Sequence, residues 1–390
     1  MKYIMVPALC LLSGVAVASE CEYSTGISAS FDGVISKSRN YDKTTYTHVD
    51  DTRKCVVKLD VQIKDKWYPT SGSYIFGPNM AENAACKNAE TSAKENILRT
   101  TVPEILKKNF GGSLDQRALL KNSEGQICDG GYIIRCEFNT SSNKKIYIVG
   151  DSHMGSIMHD LKHRVVKKNY HFITSILPAC MFFPGFDLVE NKKIKKFCNN
   201  DYFTDLKQTL IKEKNSIIIF GGRLPVYLSN YYFDNQEGGI EGNKFSSMYV
   251  SKSKYDTIEN SFKNEVLELS KDNKIILIYP IPAVGWDPNK KIWLSRENKF
   301  SKTFNLTEIT TSYEVYKNRT KLSFELLDSI ENDNVYRVFP HRLFCNTAAK
   351  NRCMAHDDKD IFYSDDDHPS YKGAEMINEL IMQEIERIEN

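Results

Sequence analysis

Five short apolar runs, each rich in β-branched residues, recur from Lys145 onward and limit the possible folds of this chain. They cover residues 146–149, 172–176, 217–220, 275–279 and 335–339. None shows polar alternation, which is typical of strands buried on both faces of a parallel sheet. Segments with helical spacing separate them, and alternating strands and helices indicate a three-layer α/β/α domain. We therefore expect a mostly parallel five-stranded sheet within residues 145–390.

Residues 20–140 have a different pattern and predict a small N-terminal α+β region, to which the sequence assigns no role. Apolar and polar residues alternate from Val57 to Ile63, which fits a half-buried strand. An alanine-rich segment over residues 80–98 has few β-branched residues and predicts a helix.

The first residues have the features of a secretory signal peptide, which we expect to span residues 1–19. Lys2 gives a short positive region, residues 4–12 are apolar, and Ala16-Val17-Ala18 offers small residues for cleavage. The apolar stretch is too short to span a bilayer comfortably, and no later segment is long enough. We expect an exported protein, periplasmic or secreted, that is not integral to the membrane; an uncleaved anchor is the alternative.

Charge is balanced along the chain. Basic residues number 52 and acidic residues 50, for a formal charge of +2. Lysines are scattered rather than grouped in stripes, and a run such as residues 192–196 is expected to be solvated surface. Nucleic acid is therefore not an expected partner.

Cysteine spacing predicts disulfides, because export would place the chain where they persist. Of ten cysteines, Cys10 would leave with the signal peptide. Short spacings favour three local pairs: Cys128 with Cys136, Cys180 with Cys198, and Cys345 with Cys353. Cys21, Cys55 and Cys86 remain, of which two can pair. Tight CxxC or clustered Cys/His spacing is missing, so no metal site is expected.

A Gly150-Asp151-Ser152-His153 motif follows the first apolar run and precedes a segment with helical spacing. Ligands of an open parallel sheet bind at the carboxyl ends of its strands, where this motif would lie. A serine at a helix N-terminus has free N–H groups and the positive end of the helix dipole beside it, which can stabilise an oxyanion. Equally, Asp151 or Ser152 could simply cap the helix.

A second motif lies in residues 363–370, just before a predicted C-terminal helix. A serine hydroxyl needs an adjacent base that a carboxylate holds in one tautomer. Asp365 and His368, three residues apart, can form that pair. Alternatively, the three consecutive aspartates bind a cation, or the loop is solvated and Ser370 caps the helix.

Together the two motifs resemble the SGNH (GDSL-type) hydrolase superfamily, which has a flavodoxin-like sheet. More narrowly, the chain is similar to the SGNH domains fused to membrane acyltransferase-3 proteins that O-acylate bacterial surface polysaccharides. The resemblance covers residues 145–390 and rests on residues 148–153 and 363–374. It implies that Ser152 is the nucleophile, His368 the general base and Asp365 the orienting acid. Cys180 and the Cys345/Cys353 pair also resemble cysteines of this family.

One position departs from the superfamily pattern, which has Gly-x-Asn in its third block to supply an oxyanion donor. Here the third apolar run ends in Gly221-Gly222-Arg223, so arginine stands in place of asparagine. Arg223 could donate to the oxyanion or bind an acidic sugar. Ser152, Gly222, Arg223 and Asn230 are therefore the candidate oxyanion and substrate-binding residues.

The expected function is a serine-dependent O-acyl esterase or acyltransferase, with acetyl the expected acyl group. It would act on a cell-envelope or extracellular glycan through an acyl-enzyme. The expected partners are an acylated carbohydrate and a separate membrane acyl donor protein, with no cofactor. Hydrolysis and transfer are not distinguished. The alternative is a non-catalytic carbohydrate-binding or envelope-assembly protein on the same scaffold.

Overall fold

The chain divides into two compact units, Met1–Ile97 and Leu98–Asn390. The structure, a computed structural model, describes residues 35–48, 52–63, 66–78, 80–110, 120–126, 128, 135–241, 247–252, 257–288, 291, 309–357 and 360–390. The predicted signal peptide, Cys10 and Cys21 lie outside the described residues. The domain boundary expected near residue 140 stays a prediction.

The first unit contains an antiparallel sheet in the order β1-β2-β3, followed by the start of a helix. The elements are β1 (Ile35–Thr47), β2 (Arg53–Ile63), β3 (Lys66–Phe76) and α1 (Glu82–Phe110). The alternation predicted from Val57 to Ile63 is confirmed, since every second residue of β2 from Cys55 onward is buried. A disulfide between Cys55 and Cys86 joins β2 to α1.

The second unit contains a six-stranded sheet in the order β13-β11-β9-β5-β6-β4. Its strands are β4 (Arg135–Phe138), β5 (Lys145–Gly150), β6 (His171–Ile176), β9 (Ile217–Gly221), β11 (Lys274–Ile278) and β13 (Val335–Val338). The five predicted strands are all present and mutually parallel, which confirms the mostly parallel sheet. The sixth strand, β4, is antiparallel to β6 at the edge. It has only four residues and alternates in burial, so it lacks the apolar run by which the others were recognised.

Helices cover both faces of this sheet, as a three-layer fold requires. They are α2 (Ser152–Lys167), α3 (Asn200–Ile211), α4 (Leu224–Ser229), α5 (Ile258–Leu269), α6 (Tyr313–Asp328), α7 (His341–Phe344) and α8 (Tyr371–Glu389). On one face α2 packs against α8 and against β5 and β6. On the other, α3, α5 and α6 enclose a core that includes Tyr147, Phe220 and Phe262. Among the described residues, no helix combines the length and apolarity needed to cross a bilayer.

Two small antiparallel sheets complete the second unit. One joins β7 (Phe186–Glu190), β8 (Lys193–Ile194) and β10 (Met248–Ser251) in the order β10-β7-β8. The other joins β12 (Thr310–Ser312) to β14 (Arg352–Met354), ahead of the loop that leads to α8. Disulfides bond Cys128 to Cys136, Cys180 to Cys198, and Cys345 to Cys353, the three pairs that spacing favoured.

Gly150, the last residue of the central strand β5, permits a close approach between neighbouring backbones. A Cβ placed there would overlap the carbonyl oxygen of Gly221 and lie 2.6 Å from Met154 Cγ. We expect Gly150→Ala to lower the free energy of unfolding by about 1–3 kcal/mol, the usual range for overpacking. Gly77→Ala is the matched control, because a Cβ at Gly77 meets nothing within 4 Å. Equal urea midpoints for the two variants would contradict this reading of the sheet.

Candidate active site

Asp151, rather than Ser152, caps the helix that follows β5. Its backbone is extended, and its Oδ1 accepts the N–H of His153 at 2.9 Å. Ser152 is the first residue of α2, so its hydroxyl is not needed as a cap. The nucleophile and cap interpretations of this motif therefore apply to different residues.

Ser152 and His368 meet although 216 positions separate them in the chain, with Nε2 of His368 2.8 Å from Ser152 Oγ. On the other side of the ring, Nδ1 lies 3.0 Å from both carboxylate oxygens of Asp365. A carboxylate only accepts hydrogen bonds, so Nδ1 carries a proton, and whenever the ring is neutral Nε2 is the atom that accepts the serine hydroxyl. The three residues assigned by the resemblance are thus in contact in the order serine, histidine, aspartate.

The loop before α8 is shaped by hydrogen bonds of its own. Asp365 Oδ1 accepts the backbone N–H groups of Asp367 at 3.1 Å and His368 at 2.8 Å, as in an Asx-turn. Ser370 caps α8 by accepting the N–H of Gly373 at 3.1 Å. The loop therefore has both the expected cap at Ser370 and a His368 ring held towards Ser152.

Asp151 also binds the end of the neighbouring strand. Its Oδ2 accepts the backbone N–H of Arg223 at 2.7 Å and the hydroxyl of Tyr227 at 2.8 Å, and the residue is only 1% exposed. Gly222, with φ +151°, makes this approach possible, because a Cβ there would lie 2.9 Å from Asp151 Oδ2. Gly222 thus has a steric role that the sequence did not predict; its role as an oxyanion donor stays a prediction.

Asp367 is a part of the site that sequence reasoning missed. This residue is 2% exposed, and its Oδ1 lies 2.8 Å from His368 Nδ1, in an ion pair on the nitrogen that Asp365 also contacts. Its Oδ2 lies 2.8 Å from His153 Nε2 and 2.6 Å from Arg223 Nε. The sequence shows three consecutive aspartates, but their spacing does not indicate which of them contacts His368, His153 or Arg223.

The side chain of Arg223 lies between two carboxylates, Asp367 and Glu241. Asn230 is the exposed C-cap residue of α4, in the left-handed conformation with φ 59°, and its N–H donates to the carbonyl of Val226. Among the described contacts, none joins Asn230 or the Arg223 guanidinium to Ser152. Their roles as oxyanion donors stay predictions.

The electrostatics of the site favour a charged His368. Burial by itself would lower the pKa of His368, but its contacts with Asp365 and Asp367 and their negative charges raise it to about 10. Against the effect of burial, the contact with His368 lowers the pKa of Asp365, and contacts with His153 and then His368 lower the pKa of Asp367 well below its usual range. Burial and the neighbouring carboxylates raise the pKa of Asp366 to about 7. The neutral imidazole that can accept the Ser152 proton therefore becomes dominant only at alkaline pH.

Two groups of side chains have ligand atoms close enough to hold a metal ion. They are His153, Asp367 and His368, and Glu241, Asp366 and Asp367, each with its ligand atoms within 4.8 Å of one another. Arg223 already pairs with Asp367 and Glu241, so a positive charge is present at the centre of these carboxylates.

A cavity of about 30 Å³ has in its lining His153, the residue that follows Ser152 in the chain. Its lining includes His153, Gly222, Arg223, Phe233, Ile281 and Arg319. A volume of about 10–15 Å³ accommodates one water molecule, so the cavity holds groups of very few atoms. It adjoins the carboxyl end of the sheet, the position at which open α/β sheets bind ligands.

A protein family and a solved structure are similar to this chain. The family described as SGNH domain (fused to AT3 domains) matches residues 122–383. Among solved structures, the periplasmic domain of a lipopolysaccharide acetyltransferase from Salmonella ser. Paratyphi A is similar, with 15% sequence identity and a TM-score of 0.41. That match covers 73% of this chain and 97% of the Salmonella chain. Among curated proteins, no sequence matches the chain.

The hydroxyl of Tyr227 stabilises the buried charge of Asp151, so we expect Tyr227→Phe to be destabilising. Hydrogen bonds to charged groups contribute about 1.5–3 kcal/mol, and the loss should fall in that range. Tyr231→Phe, whose side chain is 57% exposed, is the matched control. Free energies of unfolding from urea titrations test the expectation, which fails if the two variants are equally stable.

Proposed function

The chain belongs to the SGNH domain family described as fused to AT3 domains, and from this membership we propose a serine-dependent O-acyl esterase or acyltransferase. The family links the chain to acyl-ester hydrolysis and acyl transfer. One observation carries the serine mechanism: His368 Nε2 lies 2.8 Å from Ser152 Oγ while Nδ1 of the same ring contacts Asp365. This is the arrangement by which a base activates a hydroxyl.

The first half of the proposed reaction forms an acyl-enzyme. Ser152 Oγ attacks the carbonyl carbon of an acyl ester, and its proton passes to His368 Nε2. The imidazolium then donates this proton to the leaving alcohol oxygen as the ester bond breaks. Asp365 keeps the ring oriented and stabilises its positive charge.

The oxyanion of the tetrahedral intermediate would form at the N-terminus of α2. The backbone N–H of Ser152 lies there, and the Asp151 carboxylate that caps the helix bonds to the N–H of His153 instead. We propose Gly222 and Asn230 as further oxyanion donors.

In the second half of the reaction, a hydroxyl attacks the acyl-enzyme. Water as acceptor gives hydrolysis, and a sugar hydroxyl gives transfer; the same three residues serve both. We propose an acetyl ester of a cell-envelope or extracellular glycan as the substrate. Fusion to AT3 domains within the family supports a separate membrane protein as acyl donor.

We also propose a location outside the cytoplasm. The chain forms four disulfides among its described cysteines. Disulfides form and persist in the periplasm or outside the cell, and are rare in the cytosol.

Ser152→Ala should abolish turnover of an aryl acetate, because it removes the hydroxyl that lies 2.8 Å from His368 Nε2. Ser156→Ala is the matched control on the same helix, since the Ser156 hydroxyl only donates to the backbone carbonyl of Ser152. We expect a burst of aryl alcohol in the wild type and in the control, and none in Ser152→Ala. Full turnover by Ser152→Ala would rule out the nucleophile. Glycan binding by a wild type without any burst would favour a non-catalytic binding protein.

A further inference from the structure

Asp365 and Asp367 both contact Nδ1 of His368, the proposed base, and the two carboxylates are held in different ways. Asp365 meets His368 Nδ1 in hydrogen-bonding geometry through both oxygens at 3.0 Å. Its Oδ1 is fixed by backbone N–H groups of its own loop. Asp367 approaches the same nitrogen more closely, at 2.8 Å, as an ion pair. Asp365 is therefore held by its own loop, whereas Asp367 is the carboxylate that lies closer to the ring nitrogen.

Distant parts of the chain hold Asp367 in place. Its Oδ2 contacts His153 Nε2 from α2 at 2.8 Å and Arg223 Nε, at the start of α4, at 2.6 Å. Neither group belongs to the loop that carries Asp367. The carboxylate is thus anchored by the two segments that also position the nucleophile.

Arg223 is in turn fixed on its far side. Its terminal nitrogen Nη2 pairs with Glu241 Oε2, and the same oxygen accepts the backbone N–H of Phe233 at 2.9 Å. The Arg223 side chain is 20% exposed and its two partners are nearly buried. A guanidinium held between two carboxylates has little freedom to turn towards a substrate oxyanion.

We propose that Asp367 is a second positioning carboxylate for His368, and that Arg223 serves to clamp Asp367 rather than to donate to the oxyanion. The proposal rests on the proposed function, in which His368 is the base. It gives a role to the arginine that replaces the asparagine of the wider superfamily. The ion pair between Asp367 and Arg223 then couples the loop before α8 to the segment that follows β9.

The physical effect of Asp367 is greatest when His368 is charged. Each proton transfer from Ser152 creates an imidazolium next to two carboxylates in a water-poor site, where charges interact strongly. The ionisable groups around the His368–Asp367 pair are Asp365, Asp366 and Tyr363 from the loop, His153 from α2, and Arg223 and Glu241 from the α4 region. Removing the Asp367 charge takes away stabilisation of the imidazolium, so the pKa of His368 should fall.

Asp367→Asn is the direct test, because it removes the charge and keeps the shape. An opposite charge within about 4–6 Å shifts a pKa by about 1–3 units, and we expect the His368 pKa to drop by about that much. NMR titration of ¹³Cε1-labelled histidine measures it, with the His368 resonance identified by its loss in His368→Asn. The acid limb of the aryl-acetate rate profile should move to lower pH by the same amount.

Asp366→Asn is the matched control, since it makes the same chemical change one residue away. Asp366 holds Val284 and Gly285 through its backbone carbonyl, which the substitution leaves intact. The His368 pKa should stay near the wild-type value. The proposal is wrong if Asp367→Asn and Asp366→Asn give the same His368 pKa.

Arg223→Gln provides a second test that does not depend on the folding of Asp367→Asn. Loss of a cation near Asp367 and His368 should raise the His368 pKa, the opposite direction. If Arg223 were an oxyanion donor, the turnover rate would fall by about 10²–10³ while the His368 pKa stayed unchanged. That result would contradict the proposal that Arg223 holds Asp367 in place.

Failure of this inference is distinguishable from failure of the proposed function. If the protein has no esterase activity but the His368 pKa changes as expected in Asp367→Asn and Arg223→Gln, the positioning role is supported. Only the proposed enzymatic activity is then contradicted. Activity that depends on Ser152, together with a His368 pKa indifferent to Asp367 and Arg223, contradicts the positioning role and leaves the enzyme.

Discussion

The buried carboxylate of Asp151 is the interaction on which the geometry of this site depends. It accepts hydrogen bonds from the first turn of α2, from the backbone at the end of β9 and from the hydroxyl of α4 residue Tyr227. A charge buried this deeply is tolerated only when such donors surround it. Because these donors come from three parts of the fold, the strand that ends before Ser152 and the strand that ends before Arg223 are held in register.

The geometry of the candidate site follows from the parallel sheet. Parallel strands end at one edge, so the turn after β5 and the turn after β9 lie side by side. The loop before α8 then places His368 over the first turn of α2, and packing of α8 against α2 fixes that placement. The turns that carry Ser152, Arg223 and His368 are distant in the chain, and the topology of the sheet brings them together.

The strands and the serine–histidine–aspartate set could be predicted from the sequence, and their contacts agree with the prediction. Continuous apolar runs identify strands buried on both faces, and the spacing of two motifs matches a known layout. The edge strand β4 was not predictable, because its residues alternate in burial and the strand therefore lacks a continuous apolar run. The partners of Asp367 were not predictable either. Three neighbouring aspartates are equivalent in the sequence, and only tertiary contacts with His153 and Arg223 distinguish the third.

Arg223 illustrates how a local substitution can be misread without a structure. At the sequence level, an arginine in place of an oxyanion asparagine suggests a charged donor of the same kind. In the structure its backbone N–H serves Asp151, and its side chain serves Asp367 and Glu241. These contacts support the proposed roles of His368 and Ser152, and they join parts of the chain that are distant in sequence.

The central claim, that Ser152 is a nucleophile activated by His368, is tested most directly by the crystal structure of the protein after reaction with a serine-reactive phosphonate. The account predicts a covalent bond from Ser152 Oγ to phosphorus, with the phosphoryl oxygen at the Ser152 N–H and the Asp367–Arg223 ion pair intact. An unmodified Ser152, or a phosphonate attached to another side chain, would contradict it.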